Sequence, residues 1–69
     1  MRVWREFLFV DQETDEPFIV DVIIKAEQNK NEEQIKAEAW DIAGEHFEEP
    51  RLIRELTQDE AEMLGYDTY

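Results

Sequence analysis

Residues 18–26 read FIVDVIIKA. Side chains of a strand alternate between two faces, so Phe18, Val20, Val22, Ile24 and Ala26 share one face. Ile19, Asp21, Ile23 and Lys25 share the other. One face is wholly apolar and its reverse is mixed, as in a strand with its first face on a core. Upstream, residues 11–17 (DQETDEP) are polar and acidic and close with Pro17, which suits a hairpin connection. Before them, residues 2–10 (RVWREFLFV) are aromatic and β-branched and hold no Gly or Pro. Apolar side chains on both faces of this segment predict a central strand.

Downstream, Asn31 is placed to cap a helix, with Glu32 and Glu33 in its first turn and Gln34 completing a capping-box spacing. At 100° per residue, Ile35, Ala39, Ile42, Ala43 and Phe47 form one broad face, with Trp40 at its margin. Pro50 stops the helix. Residues 51–56 (RLIREL) predict a third strand, although Leu52 and Leu56 flanking Ile53 also fit a helix. Thr57 with Glu60 is a second capping-box spacing, opening a short helix to about Leu64, and Gly65 is placed to end it in the left-handed conformation. The tail 66–69 is expected to fray.

The order β-β-α-β-α narrows the topology. Strands 1 and 2 pair as a hairpin, and the helix returns the chain so that strand 3 lies most simply beside strand 1. The expectation is an α+β fold: a three-stranded antiparallel sheet in order 2-1-3, the main helix on one face and a short C-terminal helix. Residues 1–69 read as one compact acidic domain. The second sheet face carries Ile19 and Ile23 with either Trp4 and Leu8 or Phe7 and Phe9. Ala61, Met63 or Leu64 of the last helix would cover it; otherwise it faces a partner.

Composition excludes several classes of function. Nineteen Asp and Glu against seven Lys and Arg leave a net charge of −12 on 69 residues, beyond the magnitude of about 2–8 usual for a small domain. Four Phe and two Trp argue for a folded core rather than a disordered acidic tail. There is no Cys, so neither disulfides nor thiolate zinc sites can staple the fold. The apolar run near the start is shorter than the roughly 7–15 residues of a signal peptide or the roughly 20 of a membrane span. A cytoplasmic location without membrane contact is the expectation.

Catalytic patterns are weak. The acids Asp11, Glu13, Asp15 and Glu16 suggest a calcium loop, but the sixth and twelfth positions counted from Asp11 hold Glu16 and Val22 instead of Gly and Glu. His46 is the only histidine, there is no Ser, and the wheel places His46 beside the buried stripe as a partly buried structural residue. Adjacent acids are expected by chance at this composition. Gly44 and Gly65 are the only glycines, which leaves no phosphate-cradling loop. Neither a catalytic residue nor a cofactor or metal ligand is assigned, and the chain is expected not to be an enzyme.

Glu38, Asp41, Glu45 and Glu48 recur at spacings of three, four and three, which makes one stripe on the main helix. Such a row sets carboxylates about 5–6 Å apart, comparable with the charges of a nucleic-acid backbone. From Glu55 to Tyr69 there are five acids, Asp59, Glu60 and Glu62 among them, and no base. The expected partner is therefore a basic protein surface, such as that of a nucleic-acid-processing protein, met by these acids and those of the 11–16 loop. By composition alone the chain is similar to small acidic inhibitors from phages and mobile elements. Direct nucleic-acid binding is disfavoured, because each phosphate contact wants a Lys or Arg. The alternative is a homodimer or assembly module that uses Trp4, Leu8, Ile19 and Ile23 as an exposed apolar face.

Overall fold

The computed structural model describes residues 2–25, 27 and 29–69. Its elements are β1 (Arg2–Asp11), β2 (Glu16–Lys25), α1 (Glu32–His46), β3 (Pro50–Leu56) and α2 (Gln58–Leu64). The sheet has order β2-β1-β3 and both pairings are antiparallel, as the element order implies. Ala26, assigned by alternation to the apolar face of β2, lies outside the described residues.

Alternation divides the two long strands as expected. Phe7, Phe9, Phe18, Val20 and Val22 pack under Ile35, Ala39 and Ala43 of α1. Phe9 stacks on Phe18 at 5.6 Å between ring centroids, Phe18 on Phe47 at 4.0 Å, and Trp40 meets Phe9 edge-on at 5.3 Å. Each fully buried Phe or Val contributes about 1.5–3 kcal/mol of transfer free energy, so this face holds most of the stability. The opposite face carries Trp4, Glu6 and Leu8 of β1, which pair with Ile23, Asp21 and Ile19 of β2. There Ile19, Leu56 and Ala61 form a smaller cluster, flanked by Leu8 and Tyr66.

Residues 51–56 are strand rather than helix, and a bulge accounts for their ambiguous pattern. Leu8 pairs with Arg54 but Phe9 pairs with Leu52, so Ile53 is an extra residue on β3. In a regular strand Leu52 and Leu56, four residues apart, would share a face. The bulge reverses the alternation between them, sending Leu52 to the α1 core and Leu56 to the α2 cluster.

Both helices start as their sequences dictate. Asn31 accepts from the Gln34 amide at 2.8 Å and the Gln34 side chain returns to the Asn31 amide at 2.9 Å. Thr57 and Glu60 make the same reciprocal pair, both at 3.2 Å. Gly65 closes α2 at φ 62°, in the left-handed region glycine enters without strain. The α1 helix ends at His46, before Glu48.

Two expectations are corrected. The tail does not fray: the Ile19 amide donates to the Asp67 carbonyl at 2.8 Å, the Asp21 amide to Tyr69 at 2.9 Å and the Tyr69 amide to Ile19 at 2.8 Å. The outer edge of β2 offers unpaired backbone groups, and this short parallel pairing satisfies some of them. The Tyr69 ring then lies edge-on to Phe18 and Phe47. His46, expected to be partly buried, is exposed, with its ring 4.6 Å from that of Tyr69.

Candidate interaction surfaces

The hairpin connection is held by its own acids. Asp11 is 7% exposed, and its carboxylate accepts from the Glu13 amide and the Thr14 hydroxyl, both at 3.1 Å. This is the local bonding that places Asp at turns. The Asp15 amide donates to the Asp11 carbonyl at 2.7 Å, and Asp15 takes φ 59°, a conformation Asp tolerates. Asp11 therefore anchors the turn instead of facing a partner, which corrects its place among the contact residues. Glu13, Asp15 and Glu16 are exposed.

The turn is tied to the far end of α1. The Gln12 amide donates to the Glu49 carbonyl at 3.0 Å. The Glu13 carboxyl lies against Glu48, with Asp11 and Glu49 close by, and this repulsion raises its pKa above the ordinary glutamate value. The stripe expected on α1 is cut short, because the helix ends at His46 with Phe47 already extended, so Glu48 does not continue its helical spacing. Asp41 and Glu45 are exposed on the helix, and Glu48 and Glu49 follow in the connection to β3, where Glu13 meets them. Glu38 departs from the stripe, since it is half-buried and ion-paired with Lys30. Two segments separate in sequence thus bring Glu13, Glu48 and Glu49 together.

The acids of α2 lie on the other side of the sheet. Glu60 is occupied by its capping role and by Arg54, whose guanidinium is 2.7 Å away. The guanidinium and the Thr57 amide pull the Glu60 pKa down to about 2. Asp59 and Glu62 are exposed. Arg5 has a similar engagement: it donates to both oxygens of Glu32, at 2.7 and 2.9 Å, and also to Glu55, joining the start of α1 to β3. Three of the chain's seven cations, Arg5, Lys30 and Arg54, are thus committed to internal ion pairs.

The apolar set divides. Ile19 is 1% exposed beneath α2 and the 67–69 segment, and Leu8 packs beside it. Ile19 is therefore closed to a partner, which corrects its inclusion in an open face, and Leu8 is half-buried. Trp4 at 56% and Ile23 at 39% exposure remain on the surface, directly opposite each other across β1 and β2.

A feature the sequence reading did not single out lies next to them. Glu6 and Asp21 are cross-strand partners on the α2 face. Desolvation raises the pKa of both above the ordinary carboxylate values, and Asp21 with Glu62 adds repulsion at Glu6. The Asp21 Oδ1 atom is shut off from solvent and has no hydrogen-bond partner among the described residues. Both carboxylates line a cleft of about 540 Å³ whose walls include Trp4, Leu56, Thr57 and Gln58. The signal was present in the sequence: alternation puts Asp21 with Ile19 and Ile23, and the hairpin register then brings Glu6 opposite.

No helix among the described residues is long and apolar enough to cross a membrane. No family model, curated protein or solved structure matches this chain.

Proposed function

We propose that this chain is a non-enzymatic acidic binding protein that occupies a basic surface of another protein, as a nucleic-acid backbone would. The observation that carries this reading is the joining of Glu13 to Glu48 and Glu49, beyond the end of the helix that carries the exposed Asp41 and Glu45. Crowded carboxylates repel, and a cationic partner relieves that repulsion on binding. The reading calls for no cofactor and no direct nucleic-acid contact, and it suits an inhibitor of a nucleic-acid-processing protein. Affinity capture from the native host tests it, with the parent chain and an Asp41→Asn, Glu45→Gln, Glu48→Gln variant as baits. Expected is a basic nucleic-acid-binding protein that is held at low salt and released on raising salt severalfold, and whose retention falls about tenfold or more with the variant. Capture indifferent to both salt and neutralisation would overturn the reading.

The assembly alternative keeps only Trp4 and Ile23. Two side chains are a small share of the roughly 800 Å² per partner that a stable interface buries. Light scattering at high concentration is expected to report a monomer.

A further inference from the structure

Pairing between β1 and β3 runs only from Glu6 to Asp11. At Leu56 the chain leaves the sheet and enters α2 through Thr57. Residues 2–5 of β1 consequently have β2 on one side and, among the described residues, no strand on the other. The cleft of about 540 Å³ occupies this gap, with Trp4 and Glu6 on the β1 side, Leu56 and Thr57 where β3 ends, and Arg5 in its wall with its charge already met by Glu55 and Glu32. Three properties of the gap bear on what would fill it. A bare strand edge presents backbone donors and acceptors to another extended chain. Trp4 leaves more than half of its surface in water, and an indole face attracts cations. Asp21 and Glu6 face the cleft with no ion-pair partner among the described residues, unlike Glu32, Glu38, Glu55 and Glu60.

We propose that the gap beyond β3 receives an extended basic segment of a partner protein, which adds a short strand to the open edge of β1 and sets a Lys or Arg against Glu6 and Asp21 beside Trp4. This rests on the reading that the chain engages a cationic protein, and it assigns the anchoring contact to the sheet face opposite the α1 acids. The incoming cation supplies the ion-pair partner that Glu6 and Asp21 lack among the described residues, while the strand satisfies backbone groups otherwise left to water. The backbone pairing adds affinity for an extended segment, and the side chains set against Glu6, Asp21 and Trp4 give the specificity.

The test uses the whole chain carrying Trp40→Phe, so that Trp4 is the remaining tryptophan. The probe is a capped peptide of about seven residues with alternating Lys and Val; a second peptide of equal charge has proline at the alternate positions and cannot donate to a strand edge. Expected is saturable binding of the first peptide, read from Trp4 emission, with amide shifts confined to residues 2–6, 21–23 and 55–58. The proline peptide and a Glu6→Gln, Asp21→Asn variant are each expected to weaken binding about tenfold or more. That variant removes two repelling carboxylates, so it folds at least as well as the parent. Equal affinity for both peptides would overturn the strand addition, and so would absent binding. Shifts centred on Asp41, Glu45 and Glu48 and unchanged in the variant would overturn the assignment to this cleft while leaving the contact at those acids intact.

Discussion

The two faces of the sheet are built from the same two long strands and used in opposite ways. Toward α1, five large side chains of β1 and β2 meet a helix that offers Ile35 and two alanines, and none of the eight is more than 4% exposed. Toward α2, the corresponding positions include Glu6, Asp21, Trp4 and Ile23, and only Ile19, Leu56 and Ala61 close into a buried cluster. The first face is saturated: its apolar groups bury one another and the chain needs nothing further there. The second leaves Glu6 and Asp21 without ion-pair partners among the described residues and an indole in water. In a chain this short, one face can hold the fold together while the other remains open to contact.

Truncations on the two faces test that division. Phe9→Ala removes a ring that is fully buried and touches Phe18 and Trp40, and is expected to destabilise by about 3–5 kcal/mol in urea unfolding. A loss of that size is a large part of the roughly 5–15 kcal/mol typical of a domain. Leu56→Ala in the α2 cluster is expected to lie nearer the lower end of the large-to-small range, about 2 kcal/mol. Equal losses at both positions would break the comparison, because the second face would then be as much a core as the first. Next in size, Thr57→Ala deletes the α2 cap that meets the Glu60 amide at 3.2 Å and is expected to cost about 1 kcal/mol. Its effect should include faster amide exchange in Gln58–Leu64, with the α1 core unchanged.

What was legible in the sequence depended on how local its cause was. Residues 18–25 revealed their faces because alternation needs no neighbour, and both helices began at their capping boxes because those bonds span only three residues. The sheet order followed from chain connectivity. Ile53 was unreadable as a bulge, since the extra residue exists only relative to the register of β1. The tail was misjudged because its stability comes from the free edge of β2, fifty residues away in sequence. Asp11 was misassigned for a different reason: an acid in an acidic loop looks like surface charge until its bonds to Glu13 and Thr14 are seen. Of the acidic stripe on α1 only Asp41 and Glu45 stay exposed on the helix, and helical spacing could not show that α1 stops at His46. The meeting of Glu13 with Glu48 and Glu49 required the docking of Gln12 on Glu49.

The smallest expected effect sharpens the comparison most, because it has the opposite sign. Glu6 and Asp21 have pKa values raised in the folded state by desolvation, with repulsion from Asp21 and Glu62 added at Glu6. On that face Arg54, opposite Leu8, is held by Glu60. A raised folded-state pKa means the folded form binds protons more readily than the unfolded form. The contribution of these two groups is therefore greatest below their unfolded values and is lost as pH rises through the folded ones. Glu60 runs the other way: with a pKa of about 2, its contribution is present above the ordinary glutamate value and disappears as pH falls toward 2. The thermal midpoint is thus expected to rise as pH is lowered from neutral into the carboxylate range, then fall on further acidification. Asp21→Asn should raise the midpoint at neutral pH and flatten the acid-side rise, with little effect on the later fall. A midpoint lowered by Asp21→Asn would mean that this carboxylate already has a stabilising partner, and the difference between the faces would then be one of packing alone.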